Sequence, residues 1–452
     1  MAEIVQPAKS KYIKPAREVK VFSWVAVTFF FTLFVLPQYF GIPFPLFDLT
    51  ALRIVIVAAM FMIIMDTKRL HDFIQVIGDA SCTKALVPYL IVITYTMVLR
   101  VDVNAFLNPF IEFVTFYLLI YLIKDCLGVE RTIRLIIKLS YLIVILGVIE
   151  YVMGRSPFSY LETISGIYTG RFVRSGSYRI MSSCNHSLGY GLMLIIMVPF
   201  SCVDLKNNEI NLLERPVLIV LLALNVFLCG SRSTLSVFIL EVFILILLSP
   251  KMRKKRLILI GSVLVVAFLC FLMAARNTSV GQYFLLQITS IIDELFGTEF
   301  ALQYGADIQA LSSSSNYRDQ LKQIFFVDWL NPFLGLGRKR EFATEINGSY
   351  VRSVDNFYIA EYVRYAYPGM ISYILFLFHF VKGMVKNILH SSSGIMRALF
   401  AGVVCYLINL LWADSLQTLK YLYIVFALFI CIEDSKKEKK VSYESKYIKR
   451  RI

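Results

Sequence analysis

The sequence predicts an all-α polytopic membrane protein with about twelve transmembrane helices and a large extracytoplasmic loop. Two observations predict this fold class. Apolar residues make up 58% of the 452 residues, whereas Asp, Glu, Lys and Arg together make up only 17%, below the roughly one-quarter of an average soluble domain. The apolar residues also come in blocks long enough to cross a bilayer about 30 Å thick. One membrane bundle is therefore predicted, not several soluble domains.

The predicted spans divide the chain into five parts. A basic tail (1–20) precedes nine spans (21–275), which include an outer loop at 153–186. A large extracytoplasmic loop (276–355) separates these from three further spans (356–432) and a basic tail (433–452). No small-residue cleavage pattern follows the first apolar block, so we expect it to remain as an anchor. The apolar blocks lie near 21–40, 47–65, 85–99, 106–123, 132–152, 187–203, 216–230, 233–249, 257–275, 357–381, 396–412 and 417–432.

The distribution of Lys and Arg predicts the orientation of the chain. With the N-terminus inside, alternate connectors hold 29 basic residues on the inner side and 13 on the outer side, in agreement with the positive-inside rule. Both termini are therefore predicted to be cytoplasmic, in a multi-pass protein of the inner membrane whose functional surface faces outward. This topology accounts for the net charge of +15, so nucleic acid is not expected as a partner.

The large outer loop contains two helix-like stretches. The first, Thr278–Phe296, has an apolar side suited to a helix that lies along the membrane surface. That side consists of Leu285, Ile288, Ile291, Ile292 and Leu295. A second helix is predicted over Tyr317–Leu330, with Asn316 as its N-cap. Functional residues are common on such loops.

Arginine dominates the basic residues on the predicted outer side, with 11 Arg against 2 Lys. A guanidinium binds phosphate oxygens in a bidentate way, whereas Lys acts as a point charge. An anionic ligand such as a diphosphate is therefore expected there. Arg53 and Arg364 lie inside apolar spans, where a charge needs a partner or water. Each is either a site residue or a member of a structural ion pair.

Two stretches place further arginines beside the predicted spans. Arg232 lies in the tight outer turn Gly230-Ser-Arg-Ser, either near a ligand or as a side chain that reaches to the membrane surface. Arg174 and Asn185 flank the entry to a span, where ordinary loop polarity is the alternative.

The large loop carries two more arginine candidates. Arg318 opens the second helix-like stretch. Arg338 ends the stretch Pro332-Phe-Leu-Gly-Leu-Gly-Arg, which has a weak likeness to a phosphate-binding loop. We therefore include both as candidate ligands of an anion.

Asp355-Asn356-Phe-Tyr358 closes the large loop and enters the next span. Asp355 is expected to act either as a general base or as a helix cap. His186 is the histidine of the predicted outer side and a reserve candidate for the base, with a hydrogen-bonding loop residue as the alternative.

Several motifs are absent from the sequence. Its 8 cysteines form no CxxC and no Cys/His cluster, so neither a disulfide framework nor zinc is expected. There is no Walker A motif, which argues against ATP-driven transport. The first outer loop has no Asp-x-Asp pair, so no divalent metal is expected there. The lack of a convincing internal repeat weakly disfavours transporters built from two related halves.

The order of these features resembles that of the O-antigen ligase/polymerase superfamily. The features are an Arg-x-Gly stretch before Asn and a span, Ser-Arg at a tight outer turn, and a long loop with Arg, Pro-x-x-Gly-x-Gly and Asp-Asn-x-Tyr. They cover about Arg174 to Gly369. Ligases of this superfamily typically have His just before the Asn-x-Tyr-like sequence, whereas Asp355 stands here, which favours a Wzy-type polymerase of polysaccharide repeat units.

The resemblance implies a GT-C-like architecture and an inverting, metal-independent glycosyl transfer without a cofactor. The donor would be an undecaprenyl-diphosphate-linked oligosaccharide, and the product an O-antigen, capsule or other exopolysaccharide. Asp355 or His186 would be the base. The implied diphosphate ligands are Arg232, Arg318 and Arg174, then Arg338, Arg364 and Arg53. The other implied site-lining residues are Asn185, Asn356 and Tyr358.

The expected partners are the lipid bilayer, the lipid-linked oligosaccharide, a chain-length regulator and a flippase. Three alternative functions stay open. A lipid-linked oligosaccharide flippase would place its charges in a central cavity, an O-antigen ligase would use another acceptor, and a pore or structural membrane protein would need no outer site.

Overall fold

The computed structural model is mostly α-helical. It describes residues 19–44, 47–168, 170, 173–174, 177–305, 317–338, 340, 342–346, 348–390 and 393–448. The α-helices are α1 (Val19–Val35), α2 (Ala51–Ile64), α3 (Thr67–Asp79), α4 (Thr83–Arg100), α5 (Val103–Tyr121), α6 (Val129–Met153), α7 (Ser187–Ser201), α8 (Pro216–Leu228), α9 (Arg232–Leu248), α10 (Lys251–Ala275), α11 (Ser279–Phe296), α12 (Phe357–His390), α13 (Gly394–Asn409) and α14 (Leu419–Ile448). A π-helical turn lies at Leu122–Leu127, and 3-10 turns lie at Pro157–Leu161, Phe300–Tyr304, Gln323–Phe326 and Leu416–Thr418.

The strands of the described residues form short antiparallel pairs in the connectors. The pairs are β1 (Gly41–Ile42) with β2 (Leu49–Thr50), β3 (Val173–Arg174) with β4 (Ser177–Tyr178), β5 (Val203–Asp204) with β6 (Glu209–Ile210), and β7 (Thr344–Ile346) with β8 (Ser349–Val351). They close hairpins and contribute no separate layer to the bundle.

Several helices have the length and composition of membrane spans. Of the described residues, six segments qualify: Thr83–Arg100, Val103–Leu127, Val129–Met153, Lys251–Ala275, Phe357–His390 and Leu416–Ser435. Shorter apolar helices lie at Phe22–Val35, Ala51–Ile64, Ser187–Ser201, Pro216–Leu228 and Gly394–Asn409. A mostly helical, multi-pass membrane protein is confirmed as the class. The number of twelve spans and the GT-C-like arrangement remain predictions.

Two helices form the centre of the bundle. All residues of α7 except Leu188 are buried, and so are all residues of α14 from Leu419 to Cys431 except Lys420. Helices that are apolar all round are typical of such central positions. Phe380 of α12 stacks on Phe426 of α14 with ring centroids 3.9 Å apart. By contrast, only 11% of the apolar window of α10 is buried, as expected of a helix that faces lipid.

The connectors predicted to be inside contact one another at one end of the bundle. Arg253 lies 3.2 Å from a carboxylate oxygen of Glu209, and the N–H of Gly394 donates to Asn208 O (2.7 Å). Lys124 pairs with Asp434 at 3.4 Å. These contacts join four connectors and the C-terminal helix, as expected if alternate connectors lie on the same side of the membrane.

The connectors predicted to be outside contact one another as well. The N–H of Gly41 donates to Thr163 Oγ1 (2.8 Å), which joins the first outer connector to the loop after α6. The N–H of Arg338 donates to Asp102 Oδ2 (2.8 Å), which joins the large loop to the turn between α4 and α5. We call this set the outer connectors.

A break in α12 lies close to the outer connectors. Ala366 has φ 57° and ψ −166°, a strained conformation for a residue with a Cβ. Pro368 has no N–H, so the carbonyl of Arg364 lacks its usual helical donor. The N–H of Gly337 donates to that carbonyl instead, at 2.9 Å. The break is therefore completed by another segment of the chain.

The partner of this break is the segment 332–338. The N–H of Leu336 donates to Val363 O (2.9 Å), and the N–H of Tyr367 donates to Pro332 O (3.1 Å). Arg100 binds the other side of the segment, because its Nε donates to Gly335 O at 2.7 Å. A Cβ on Gly335 would overlap the backbone of Arg364 and the next residue. The glycines of this stretch thus allow its backbone to lie close to the backbone of α12. This contact, not a phosphate ligand, explains the Gly-x-Gly pattern.

The large outer loop is only partly helical. The first predicted helix is confirmed: α11 begins after Thr278, whose side chain accepts from the N–H of Gly281. The hydroxyl of Tyr283 donates to Phe227 O (2.8 Å), which ties α11 to the end of α8. The second predicted helix is wrong in length, since residues 317–322 are helical and a 3-10 turn ends at Phe326. Its predicted cap, Asn316, lies outside the described residues.

Gly335→Ala is expected to destabilise the protein by about 1–3 kcal/mol, the usual cost of inserting atoms into a packed site. The measurement is the midpoint of thermal unfolding in detergent. The matched control is Gly261→Ala on α10, where an added methyl meets nothing within 4 Å. Equal unfolding midpoints for the two variants would contradict the described fit between segment 332–338 and α12.

Candidate functional site

A cavity of about 480 Å³ lies among the outer connectors. Residues near the ends of α1, α2, α5 and α14 form its wall, together with Arg338 from the large loop. Three cations line it, Arg53, Arg338 and Lys420, along with the carboxylates of Asp48 and Glu112. Its size suits a small ligand or the head group of a larger one. We call it the cation cavity.

Arg53 occupies the first turn of α2, where Thr50 caps the helix by accepting from its N–H (3.3 Å). Its Nη1 donates to the carbonyl of Asp48 (2.8 Å), and its Nη2 donates to Asn108 Oδ1 (2.7 Å). Both acceptors are neutral groups. Within the described part of the chain no carboxylate forms an ion pair with Arg53, so its charge is available to an anion in the cavity.

Arg338 is fixed by its backbone and by its side chain. Asp102 accepts from the Arg338 N–H with one oxygen, and its other oxygen caps α5 by accepting from the N–H of Asn104 (3.0 Å). The Arg338 side chain is 8% exposed, and its Nη1 lies 3.2 Å from Glu112 Oε1. Its Nε–H has no acceptor among the described residues, which leaves one buried donor for a ligand.

Lys420 is the exception to the burial of α14. Its Nζ lies 5.1 Å from the centre of the Tyr421 ring, and the ion pairs of the described residues do not include it. Gln417, three residues earlier and therefore on the same side, also lines the cavity. Arg53 and Lys420 are thus two cations that face one cavity and form no ion pair among the described residues, although the carboxylates of Asp48 and Glu112 line the same cavity.

Arg364 has a different environment. It pairs with Asp414 and, at 3.1 Å, with Glu361, while the Tyr89 hydroxyl donates to the other oxygen of Glu361 (2.8 Å). This network joins α4, α12 and the connector after α13. Since its carboxylates neutralise Arg364, the alternative of a structural ion pair accounts for this residue.

His186 lies at the N-terminus of α7, and its Nδ1 accepts from the N–H of Leu188 (3.2 Å). Burial, and to a smaller extent Arg179, lower the pKa of His186 to about 4, against an opposing contribution from Asp355. The ring is therefore neutral at pH 7. Because Nδ1 accepts a hydrogen bond, the ring proton lies on Nε2. In this state His186 can donate a hydrogen bond through Nε2.

Asp355 is exposed, and its Oδ1 accepts from the Ser353 hydroxyl (2.9 Å). It does not cap α12, because Asn356 does so by accepting from the N–H groups of Tyr358 and Ile359 (3.0 and 3.1 Å). The helix-cap alternative for Asp355 is therefore wrong. The Asn356 side chain donates to Leu411 O (3.0 Å) and the Tyr358 hydroxyl to Leu407 O (2.9 Å), so both fasten α12 to α13.

The remaining candidates lie on segments that contact those of His186 and Asp355. Arg179 donates from Nε to Cys229 O (2.8 Å), which holds the loop before α7 against the turn that precedes Arg232. Arg232 is the first residue of α9 and is half-buried. The Tyr317 hydroxyl donates to Ser353 O, which brings the stretch with Arg318 to the Asp355 segment. We call His186, Asp355, Arg179, Arg232 and Arg318 the outer cluster.

The structure says less about two further predicted site residues, Arg174 and Asn185. The backbone of Arg174 lies in β3, opposite Ser177, and its side chain is outside the described part of the structure. Asn185 is half-buried and directly precedes His186. The diphosphate-binding role assigned to Arg174, Arg232 and Arg318 therefore stays a prediction.

The cation cavity and the outer cluster share a wall. A Cβ on Gly189 would lie 3.2 Å from Gln417 Nε2 and 3.1 Å from Ser415 Oγ. Gln417 lines the cavity, and Gly189 lies in the same first turn of α7 that His186 caps. One helical turn of α7 therefore separates the cavity wall from His186.

Sequence reasoning missed Lys420, Glu112 and Arg179. A signal existed for Lys420, because a lysine inside an apolar block is as informative as Arg53 or Arg364. Glu112 gave the same signal in the block 106–123. For Arg179 there was none, since its loop contains several arginines and its burial depends on α8.

Residues 217–374 match the family model described as O-antigen ligase. This stretch runs from α8 into α12 and includes Arg232, Arg318, Arg338, Asp355 and Arg364. The match confirms, over these residues, the predicted resemblance to the O-antigen ligase/polymerase superfamily. A search of the curated proteins found no match. No cluster of three or more metal-ligating side chains occurs among the described residues.

Arg364→Ala is expected to destabilise the protein by about 3–5 kcal/mol, because Glu361 and Asp414 lose their counter-charge. Arg53→Ala should leave the thermal unfolding midpoint in detergent nearly unchanged and weaken the binding of inorganic diphosphate. The two variants serve as controls for each other. A large loss of stability for Arg53→Ala, with binding retained, would make Arg53 a structural residue.

The His186→Asn variant tests whether His186 is neutral in the folded protein. A folded-state pKa of about 4, below the unfolded value of about 6.5, means that protonation favours unfolding. Stability should therefore fall as the pH decreases from about 6.5 towards 4. Asn keeps the helix cap and does not titrate, so the variant should lose less stability over this range. Parallel pH profiles of the unfolding midpoint would contradict the assignment.

Proposed function

We propose that this protein polymerises undecaprenyl-diphosphate-linked oligosaccharide repeat units. The observation that carries the proposal is the pair of cations, Arg53 and Lys420, that form no described ion pair and share one cavity with the unused donor of Arg338. Buried or half-buried cations without counter-charge are costly unless a ligand or water compensates them. A diphosphate supplies several negative oxygens at the spacing of such groups.

Two groups of cations suit the two substrates of a polymerase. The growing chain and the incoming repeat unit each carry a lipid diphosphate. In the proposed arrangement the donor diphosphate binds Arg232 and Arg318 of the outer cluster, and the diphosphate of the acceptor binds in the cation cavity. A ligase would need only one lipid-diphosphate site, so this arrangement favours the polymerase.

The proposed transfer takes place at the outer cluster. Asp355 accepts the proton of the attacking sugar hydroxyl while the anomeric C–O bond to the diphosphate breaks. Arg232 and Arg318 stabilise the charge that develops on the leaving diphosphate. His186 donates from Nε2 and orients Asp355 or the acceptor hydroxyl. Attack from the face opposite the leaving group inverts the anomeric centre, and the activated donor drives the step without ATP.

The proposed location is the outer face of the inner membrane, with both termini in the cytoplasm. The flippase alternative would place its charges in the centre of the bundle. The cation cavity is instead built from the outer connectors, which supports an enzyme that works on substrates already moved outward. A flippase and a chain-length regulator remain proposed partners.

Purified protein in liposomes should extend a synthetic lipid-diphosphate repeat unit into a ladder of products on a gel. Arg232→Ala and Arg318→Ala should reduce extension at least about 100-fold, the usual cost of losing one group that stabilises transition-state charge. Both should keep the wild-type unfolding midpoint. EDTA should leave the rate unchanged.

Three results would count against the polymerase. They are the absence of a ladder with a verified substrate, a strict requirement for Mg²⁺ or Mn²⁺, and loss of folded protein in both arginine variants. The exposed pair Lys322 and Asp319 provides a control, because Lys322→Ala removes an outer cation without a role in this mechanism and should leave extension unchanged.

A further inference from the structure

The cation cavity is lined by neutral amide side chains as well as by charges. Gln38, Asn104, Asn108 and Gln417 all face it, and they come from three separate parts of the chain. All four lie outside the residues 217–374 that match the O-antigen ligase family. Phosphate binding explains the cations of the cavity. It does not explain the amide side chains, which therefore need a separate explanation.

Two of the amides lie beside a cation. Asn108 Oδ1 accepts from Arg53 (2.7 Å), which leaves both N–H groups of its amide for a ligand. Gln417 and Lys420 lie three residues apart on one side of the chain. Asn104 lies one turn before Asn108 on α5, on the same helical face. A group that is covalently attached to a phosphate held by Arg53 or Lys420 would therefore come within reach of an amide.

The amide groups have hydrogen-bonding capacity to spare. The side chains of Gln38, Asn104 and Gln417 make no described hydrogen bond, although the connectors around them are densely bonded. A side-chain amide offers donors and an acceptor together. That combination matches sugar hydroxyls, each of which donates and accepts, and does not match a polyprenyl chain.

We infer that the cation cavity recognises the sugar attached directly to the lipid diphosphate, and that Asn104, Asn108, Gln38 and Gln417 determine which sugar is accepted. This inference rests on the proposed function. The cations bind the diphosphate without discrimination, and the amides read the hydroxyls of the neighbouring sugar ring. A site built to hydrogen-bond a hydroxyl rejects a ligand that lacks it, because its polar groups are then left unpaired.

The experiment uses full-length protein in detergent and short-chain polyprenyl diphosphates as probes. One probe is bare, and the others carry a single glucose, galactose or N-acetylglucosamine on the diphosphate. Affinities are measured by calorimetry for the wild type, for Asn104→Ala combined with Gln417→Ala, and for Arg53→Ala. Gln282→Ala is the matched control, since Gln282 is an exposed amide on α11.

The wild type should bind one sugar-bearing probe at least about tenfold more tightly than the others, as two or three net hydrogen bonds allow. The double amide variant should bind all sugar-bearing probes alike and keep its affinity for the bare diphosphate. Arg53→Ala should lose the cavity site for every probe and keep only the binding that depends on Arg232 and Arg318, and Gln282→Ala should behave as the wild type.

Different outcomes overturn different parts of the inference. Equal affinities of the wild type for all probes, or an undiminished sugar preference in the double variant, would overturn the sugar-reading role and leave the diphosphate site intact. Failure of the wild type to bind the bare diphosphate, or Arg53→Ala binding every probe with the wild-type affinity and stoichiometry, would remove the diphosphate site in the cavity and with it this inference.

Discussion

The candidate site depends on the pairing between segment 332–338 and the break in α12. Pro368 leaves the carbonyl of Arg364 without a helical donor, and the N–H of Gly337 supplies one. Because unpaired buried backbone groups are costly, the loop segment and the helix stabilise each other. The same pairing fixes the residue that follows, Arg338, at the edge of the cation cavity. A backbone contact with α12 thus positions a charged side chain that precedes this helix in the sequence.

The charged groups near this break have two kinds of environment. Arg364 is neutralised by Glu361 and Asp414 and joins three elements. Arg53 and Lys420 face the cavity and form no ion pair among the described residues. An ion pair inside a bundle stabilises it only if both charges are present, whereas an unmatched cation gains most from an added anion. This difference separates structural cations from candidate ligand-binding cations more clearly than position in the sequence does.

Much of the architecture was predictable because apolar blocks and alternating charge are local properties. Most helices lie on the predicted blocks, although α3 lies between two of them, and α11 begins after Thr278, the first residue of its predicted range. The roles of Arg53 and Arg364 were not predictable, since both are arginines in apolar spans and only their neighbours distinguish them. Pro332–Arg338 resembled a phosphate loop, but its glycines serve a backbone contact with residues far along the chain. Asn356, not Asp355, caps α12. The sequence alone could not decide this, because both residue types cap helices and the two are adjacent.

The separation between the outer cluster, the proposed place of catalysis, and the cation cavity depends on α7. His186 caps this helix, and Gly189 in the same turn packs against the cavity wall at Gln417. A rigid turn between the two regions allows a lipid-linked substrate in the cavity to lie at a fixed distance from Asp355. Fixed relative placement of two reactants is a major source of rate enhancement in transfer reactions.

The most direct test of the central claim is an electron cryomicroscopy structure with a lipid-diphosphate repeat unit bound. The account predicts diphosphate density in the cation cavity, within hydrogen-bonding distance of Arg53, Arg338 and Lys420. Diphosphate density at another place, with the cavity holding only water at saturating substrate, would contradict it.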